Sequence, residues 1–331
     1  MIMQKINSKI NFLILLIVSS FILRIATIFF FADTYIENEW GVLVKNLQIY
    51  KSYSIYIIDG QVIPSVYMPP VYAYFLYLIK IFTFEKINFL NTVFLVQAIL
   101  STYSVYIFYK INKKIFNVKI SLINSFIFSF FPLNVYAVGQ SSSISLQIFL
   151  SLLFLKYFLE FAEKISKKNI IIFSFVSGLL IMTRGEFILI FLTTIFYLLV
   201  FKKKNLMSIM KIILIVFLVI SPYLIRNYIT FNSITITKSS GYNLWKGNNP
   251  LSTVYGVEAR PPIKFNKNKE WPTLEKKEFK KLKNKLEAIN IDKYYEIKRD
   301  KIFMNEAINN LYSDPFKYFH LFLKYYYLSY L

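Results

Sequence analysis

Residues 10–31 read INFLILLIVSSFILRIATIFFF, and Arg24 is the only charged side chain among them. A bilayer core needs about 20 predominantly apolar residues in an α-helix, so this stretch is long enough to span a membrane. It is not followed by the small-residue cleavage site that ends a signal peptide. The stretch therefore predicts a retained membrane-spanning helix near the N-terminus.

Similar apolar stretches recur along the chain. Six of them are further candidate spans: Phe89–Tyr109, Ile120–Val138, Ile144–Phe161, Ile170–Met182, Phe187–Phe201 and Ile212–Tyr228. A last apolar run, Phe316–Leu331, is shorter than a full span and predicts the start of a further, truncated transmembrane helix. Together these stretches predict an all-α polytopic membrane protein.

The composition supports the same fold class. Apolar residues make up 56% of the 331 positions, whereas charged residues make up 17%, below the roughly 25% of a soluble domain. This excludes a soluble globular enzyme and a disordered chain. The net charge is +21, and the basic residues lie between the apolar runs. This arrangement is typical of a polytopic membrane protein and not of a nucleic-acid-binding protein. With no Cys and a single His, His320, we expect no metal site and no cofactor.

Lysine clusters predict the orientation of the helices. They occupy three short connections, at residues 110–119, 164–168 and 202–211, and such connections stay cytoplasmic. All three are cytoplasmic, together with the N-terminus, only if Pro69–Phe84 lies in the interface without crossing. The alternative is a short span at this segment with an inverted topology. The first interpretation leaves Ala32–Asn88 and Ile229–Asp314 outside, the latter with surface helices over the membrane between Thr273 and Leu311.

Three of the five arginines lie at predicted outer helix ends: Arg24, Arg184 and Arg226. Arginine carries a planar fork of donors that suits a phosphate or carboxylate, and Lys cannot reproduce it. One interpretation is that the three bind an anionic group such as the phosphate of a lipid carrier. The other is that each extends to the lipid headgroups.

Acidic residues open the first outer loop. Asp33, Glu37 and Glu39 precede Trp40, and Asp33 and Glu37 would share one face of a helix. A carboxylate near the bilayer rim can act as a general base towards a hydroxyl. Alternatively, the acids stabilise the start of a helix.

Several motifs resemble those of one family of membrane enzymes. They are Arg24 followed by Asp33 and EWGVLVKNL at residues 39–47, YMPPVY at 67–72, MTRGE at 182–186, PYLIRNY at 222–228 and GYNLWKGNNP at 241–250. This combination resembles the glycosyltransferases of the GT-C superfamily, specifically family 39, which includes dolichyl-phosphate-mannose–protein mannosyltransferases and bacterial aminoarabinose transferases. Three positions depart from the family pattern, because Ile36 stands where the first acid is usual, Ile144 where many relatives carry a second acid, and Gly185 where Pro is usual.

The resemblance implies transfer of a sugar from a polyprenyl-phosphate carrier to a lipid, glycan or protein acceptor on the outer face, usually with inversion. It implies Asp33, Glu37 or Glu39 as the base and a carrier-binding set of Arg24, Arg184, Arg226, Asn227, Tyr67, Trp245 and Asn248. We expect a multi-pass protein of the bacterial inner membrane that contacts membrane lipids and no nucleic acid.

Three regions follow from these expectations. Residues 1–228 form a GT-C-like core with the first outer loop at 32–88, residues 229–315 form an extracytoplasmic loop, and residues 316–331 begin the truncated helix. Two other functions stay open on the sequence: a transporter or flippase for lipid-linked sugars, and an inactive membrane scaffold related to the enzyme.

The orientation can be tested by cysteine labelling, because the chain has no native Cys. We expect a Cys placed at Asn117 to resist an impermeant maleimide in intact cells and to react after permeabilisation, since this connection is predicted to be cytoplasmic. A Cys at Asn88 is the matched control and should react in intact cells. Labelling of the Asn117 position without permeabilisation would contradict the topology.

Overall fold

The computed structural model describes residues 2–36, 38–83, 88–253 and 277–328, with side chains from residue 12 to residue 324. Its elements in chain order are α1 (Ile2–Phe31), α2 (Glu39–Tyr50), β1 (Ser54–Ile58), β2 (Gln61–Pro64), α3 (Pro70–Phe82), α4 (Phe89–Ile115), α5 (Val118–Ser129), α6 (Pro132–Tyr136), α7 (Ile144–Glu163), α8 (Lys167–Thr183), α9 (Phe187–Val200), α10 (Leu206–Phe231), α11 (Ser240–Gly247), α12 (Lys280–Glu287), α13 (Tyr295–Ser313) and α14 (Pro315–Leu328). The helical architecture confirms the predicted fold class.

Four helices in the described ranges are long and apolar enough to cross a membrane: Phe12–Phe31, Phe89–Ile115, Ile144–Glu163 and Leu206–Phe231. A fifth span is formed if α5 and the segment Pro132–Gly139 count as one, although they meet at a bend of 56°. Pro132 at the start of α6 accounts for the break, since it supplies no backbone N–H to continue α5. These elements coincide with five of the predicted spans.

The other two predicted spans form shorter helices. Helix α8 has 17 residues and α9 has 14, so neither is as long as the roughly 20 residues of a complete span. Helix α3 has 13 residues, which at about 1.5 Å per residue measures only about 20 Å. A bilayer core is about 30 Å thick, so the length of α3 agrees with an interfacial position.

The chain forms two compact units. The first comprises Met1–Val44 and Pro69–Tyr223, and the second comprises Lys45–Met68 and Leu224–Leu331. In the first unit α4 is central: it packs against α1, α5 and α7, while α7 packs in turn against α8. More than half of the apolar window of α4 is buried, compared with 22% for α1 and 28% for α7. Helix α4 is therefore the core helix of the first unit.

The second unit contains an element that the sequence analysis missed. Strands β1 and β2 form an antiparallel hairpin in which Ile58 pairs with Gln61, leaving Asp59 and Gly60 as a two-residue turn. Both turn residues have positive φ, 49° and 79°, as such a turn requires. An Asp-Gly pair between runs of Ile, Tyr and Val is a strong hairpin signal. The first outer loop is thus not only helical.

A compact apolar core also belongs to the second unit. It joins α11, α12 and α13 through buried side chains: Trp245, Phe279, Leu282, Leu286, Phe303 and Ala307. Helix α11 approaches α13 so closely that a Cβ at Gly241 would lie 2.1 Å from the carbonyl oxygen of Asp300. The Asp300 carboxylate in turn accepts the backbone N–H of Gly241 at 2.7 Å. The segment predicted to form only surface helices therefore packs around a core of its own.

Truncating this core should destabilise the second unit. We expect Phe303→Ala to lower its stability by about 3–5 kcal/mol, because the ring is fully buried and its removal leaves a cavity. The measurement is thermal unfolding in detergent combined with limited proteolysis of residues 277–313. Tyr312→Ala is the matched control, since Tyr312 lies on the same helix with 83% of its surface exposed. Equal protease sensitivity of both variants would contradict this assignment.

Candidate functional site

Asp33 lies two residues beyond the end of α1 and is held by the turn before α7. Its backbone N–H donates to the carbonyl of Gly139 at 2.8 Å, and its Oδ2 accepts the backbone N–H of Ser141 at 2.7 Å. The side chain is half-buried. Its Oδ1 accepts no hydrogen bond from the part of the chain that the structure describes. One carboxylate oxygen is thus fixed, while the other is available to a ligand.

The turn itself is anchored by a buried amide on α4. Gln97 donates through Nε2 to the carbonyls of Val138 and Gln140, at 2.9 and 3.1 Å, and its Oε1 accepts the hydroxyl of Tyr72 at 2.9 Å. Burial, followed by the negative charge of Asp33, raises the pKa of the Tyr72 phenol, which therefore remains a hydrogen-bond donor. Gln97 thus contacts both α3 and the turn to which Asp33 is hydrogen-bonded.

Gly139 allows the turn to approach the chain that leaves α1. A Cβ at this position would lie 3.0 Å from the Cα of Ala32 and 3.1 Å from its Cβ, which is closer than ordinary contact. The bond between the Asp33 N–H and the Gly139 carbonyl depends on this approach. The signal for this arrangement in the sequence is a lone glycine next to a run of serines, which is too weak to predict it.

The other acids of the first loop have different surroundings. Glu37 lies outside the described residues. Glu39 is the first residue of α2, where a negative charge is favourable, and it is half-buried. Asn38 caps this helix, since its Oδ1 accepts the N–H of Trp40 at 3.2 Å while its Nδ2 donates to the Ser141 carbonyl at 2.9 Å. Asn38 therefore ties α2 to the same turn as Asp33.

Arg24 is completely buried inside the first unit. Its Nε donates to the hydroxyl of Ser101 at 2.8 Å, and its Nη1 donates to the carbonyl of Ser129 at 3.2 Å and to the hydroxyl of Ser20. A charge within a span requires such partners. Its Nη2 is buried with no hydrogen-bond partner among the described residues.

Arg184 has an exposed environment. It terminates α8, and its Nη1 lies 3.1 Å from the Oε1 of Glu186, in an ion pair whose side chains are 47% and 66% exposed. Exposed pairs of this kind contribute little to stability, so the guanidinium can exchange Glu186 for another anion.

Arg226 and Asn227 are tied to the second unit near the end of α10. Arg226 donates through Nη1 to the carbonyl of Ser65 at 2.7 Å and through Nη2 to that of Tyr53 at 3.2 Å. Asn227 is fully buried, and its Nδ2 donates to the carbonyl of Thr235 at 2.6 Å. Both side chains thus hold loops of this unit in place.

The remaining predicted residues also lie in the second unit. The ring of Tyr67 lies 4.6 Å from the guanidinium of Arg299 and is only 8% exposed. Trp245 is fully enclosed in the apolar core. Asn248 donates through its side chain to the carbonyl of Leu244 at 2.8 Å. In this structure Trp245 has the contacts of a core residue, and Asn248 has those of a helix cap.

Buried charges on α13 were not predicted from the sequence. Glu296 is 3% exposed and accepts the hydroxyl of Ser65 at 2.8 Å and the N–H of Val66 at 2.5 Å. Arg299 is 2% exposed and donates to the hydroxyl of Tyr56 at 3.0 Å. Burial raises the pKa of Glu296, although the charge of Arg299 acts in the opposite direction. Glu296 and Arg299 share one helical face with the buried Phe303 and Ala307, since the four residues are three or four positions apart. This spacing was the only indication in the sequence that the two charges would be buried.

The anchoring role of Gln97 gives a stability prediction. We expect Gln97→Leu to lower the free energy of unfolding by about 1–3 kcal/mol, because buried carbonyls lose their donor. The measurement is thermal unfolding in detergent. Gln147→Leu is the control, since the side-chain amide of Gln147 on α7 makes no hydrogen bond within the described ranges. If both variants unfold at the parental temperature, Gln97 does not anchor the turn.

One comparison with known proteins gives a match. Residues 68–225 match the family model described as dolichyl-phosphate-mannose-protein mannosyltransferase. No curated protein and no solved structure matches the chain. The matched segment contains Tyr72, Gln97 and Arg184 and ends one residue before Arg226. Over this segment, which is just under half of the chain, the protein is similar to dolichyl-phosphate-mannose-protein mannosyltransferases, and together with the polytopic helical fold this similarity supports a membrane glycosyltransferase of the GT-C type.

Proposed function

We propose that this protein transfers a sugar from a polyprenyl-phosphate carrier to an acceptor hydroxyl, with inversion at the anomeric carbon. The observation that supports this proposal is the hydrogen bonding of the two oxygens of the Asp33 carboxylate. One oxygen is held by the Ser141 N–H, and the other accepts nothing from the described residues. A general base must be fixed in position and must also keep an oxygen free for the incoming proton.

In the proposed step Asp33 accepts the proton of the acceptor hydroxyl. The acceptor oxygen forms a bond to the anomeric carbon while its proton passes to the free Oδ1 of Asp33. The bond between the anomeric carbon and the carrier phosphate breaks, and its electron pair stays on the phosphate oxygen. The products are the glycosylated acceptor, the carrier phosphate and a protonated carboxyl group, which then releases its proton to water.

Arginine would stabilise the leaving phosphate. Charge develops on the phosphate oxygen in the transition state, so a guanidinium placed there lowers the barrier. In the first unit Arg184 is suited to this role, because its present partner Glu186 is exposed and replaceable. For Arg226, phosphate binding stays a prediction from the sequence, since its described hydrogen bonds include carbonyls of the second unit. For Arg24 we propose a supporting role, since its serine partners already enclose it.

The proposed orientation places Asp33 on the outer face of the membrane. It combines the three lysine-rich connections, predicted to be cytoplasmic, with a helix α3 that is too short to span. A transporter of lipid-linked sugars would share this polytopic plan. The two functions differ in detergent solution, where only an enzyme can turn over.

The proposal predicts the effect of Asp33→Asn on transfer from a radiolabelled polyprenyl-phosphate sugar by purified protein. We expect a loss of about 10²–10⁴-fold in rate, because the amide cannot accept the proton. The amide oxygen can still accept the Ser141 N–H, so folding and carrier binding should remain near the parental values.

Glu37→Gln and Glu39→Gln are the matched controls in the same loop, and both should retain most of the activity. Full turnover by Asp33→Asn together with loss in either control would move the base along the loop. Activity in all three variants would overturn the catalytic proposal, and sugar movement only in sealed vesicles would favour a transporter.

A further inference from the structure

A second polar site lies in the first unit, at the far end of α4 from the turn that Gln97 anchors. A cavity of about 520 Å³ opens there against the C-terminal halves of α4 and α7. Its lining includes four lysines, Lys110, Lys113, Lys114 and Lys156. Gln97 and Lys110 are separated by 13 residues of helix, or roughly 20 Å at 1.5 Å per residue. The cavity is therefore separate from the Asp33 region.

The lysines are only partly neutralised. Lys114 pairs with Glu163 at 2.5 Å, and Lys156 lies 3.9 Å from Glu160. Lys110 and Lys113 form no ion pair with a carboxylate in the described part of the chain. Four ammonium groups thus face two carboxylates, which leaves an excess of two positive charges at one cavity. Such a concentration of like charge favours an anionic ligand.

The wall of the cavity also contains aromatic and apolar groups. Tyr103 stacks on Tyr106 with ring centroids 5.8 Å apart, and the ammonium of Lys110 lies 5.4 Å from the Tyr106 ring. Ile107 forms a buried part of the lining. One turn before Tyr103, Ile99 is 51% exposed, so this side of α4 changes from apolar to cationic along its length. An amphiphilic ligand with an apolar tail and an anionic headgroup would be complementary to this surface.

We propose that this cavity binds a ligand carrying an anionic phosphate group, held by Lys110, Lys113 and Lys156. Its volume lies within the range of small-ligand sites. Two sources share this chemistry: the headgroup of an anionic phospholipid, and a free phosphate or diphosphate. The proposed site involves neither the acceptor nor the donor of the sugar transfer. A negative binding result would therefore leave the proposal for Asp33 unchanged, and an inactive Asp33 variant could still bind phosphate here.

The alternative to a specific site is a general attraction of the lysines to an anionic membrane surface, and it predicts a different effect of lysine substitutions. That attraction depends on the number of cationic groups near the surface and not on which ones are removed. Lys164 lies in the connection between α7 and α8, Lys167 and Lys168 begin α8, and none of the three lines the cavity. They provide a control matched in charge.

The test uses the full-length protein in dodecyl maltoside and records the melting temperature against added ligand. The probes are phosphatidylglycerol, zwitterionic phosphatidylcholine and inorganic pyrophosphate, and the proteins are the parent, Lys110→Gln/Lys113→Gln and Lys164→Gln/Lys167→Gln. We expect phosphatidylglycerol, pyrophosphate or both to raise the parental melting temperature, and phosphatidylcholine to have no effect.

In the cavity variant the apparent affinity should fall at least about tenfold, because two charge-assisted contacts are lost. The control variant should keep the parental affinity. A response to the lipid alone identifies a headgroup site, and a response to pyrophosphate shows that the phosphate group suffices. Lys156→Gln tests the opposite wall on α7 and should also weaken binding.

Two results would overturn the proposal. The first is an equal loss of affinity in the cavity and control variants, which would leave only general surface attraction. The second is the absence of any rise in melting temperature of the parental protein with either anionic probe.

Discussion

The side-chain amide of Gln97 satisfies three polar groups in the interior of the first unit. It donates to the carbonyls of Val138 and Gln140 and accepts from the hydroxyl of Tyr72, all at 2.9–3.1 Å. Buried polar groups without partners are costly, and the bend between α5 and α7 exposes carbonyls that no helix satisfies. The position of Asp33 depends on this arrangement, because its own hydrogen bonds are with the same turn.

Helix α4 combines two kinds of chemistry along one axis. Near its start it carries the buried amide that supports the turn beside Asp33, and near its end it carries three of the four lysines that line the cavity proposed to bind phosphate. The helix packs against α1, α5 and α7, so both ends belong to one well-packed element. Sites on regular elements of this kind are more precisely positioned than sites on loops.

The second unit is stabilised by an apolar core and by buried charged side chains. Its core consists of aromatic and aliphatic side chains around Trp245, and beside it α13 buries Glu296 and Arg299 against the loop at residues 65–67 and the hairpin. Helix α12 carries five charged side chains in eight residues and still contributes two buried leucines. Amphipathic helices with a charged outer face can therefore form a small core whose polar surface remains outside.

Hydrophobic run length determined the all-α polytopic class from the sequence, because only helices satisfy their backbone groups within a membrane. The motifs at residues 67–72 and 182–186 also indicated the family that the match over residues 68–225 supports. The sequence did not determine the surroundings of the charged residues. Arg24 contacts the hydroxyl of Ser101 and the carbonyl of Ser129, and Glu296 contacts the backbone at residue 66. Contacts across 77 to 230 residues arise from packing, and no local pattern or spacing specifies them.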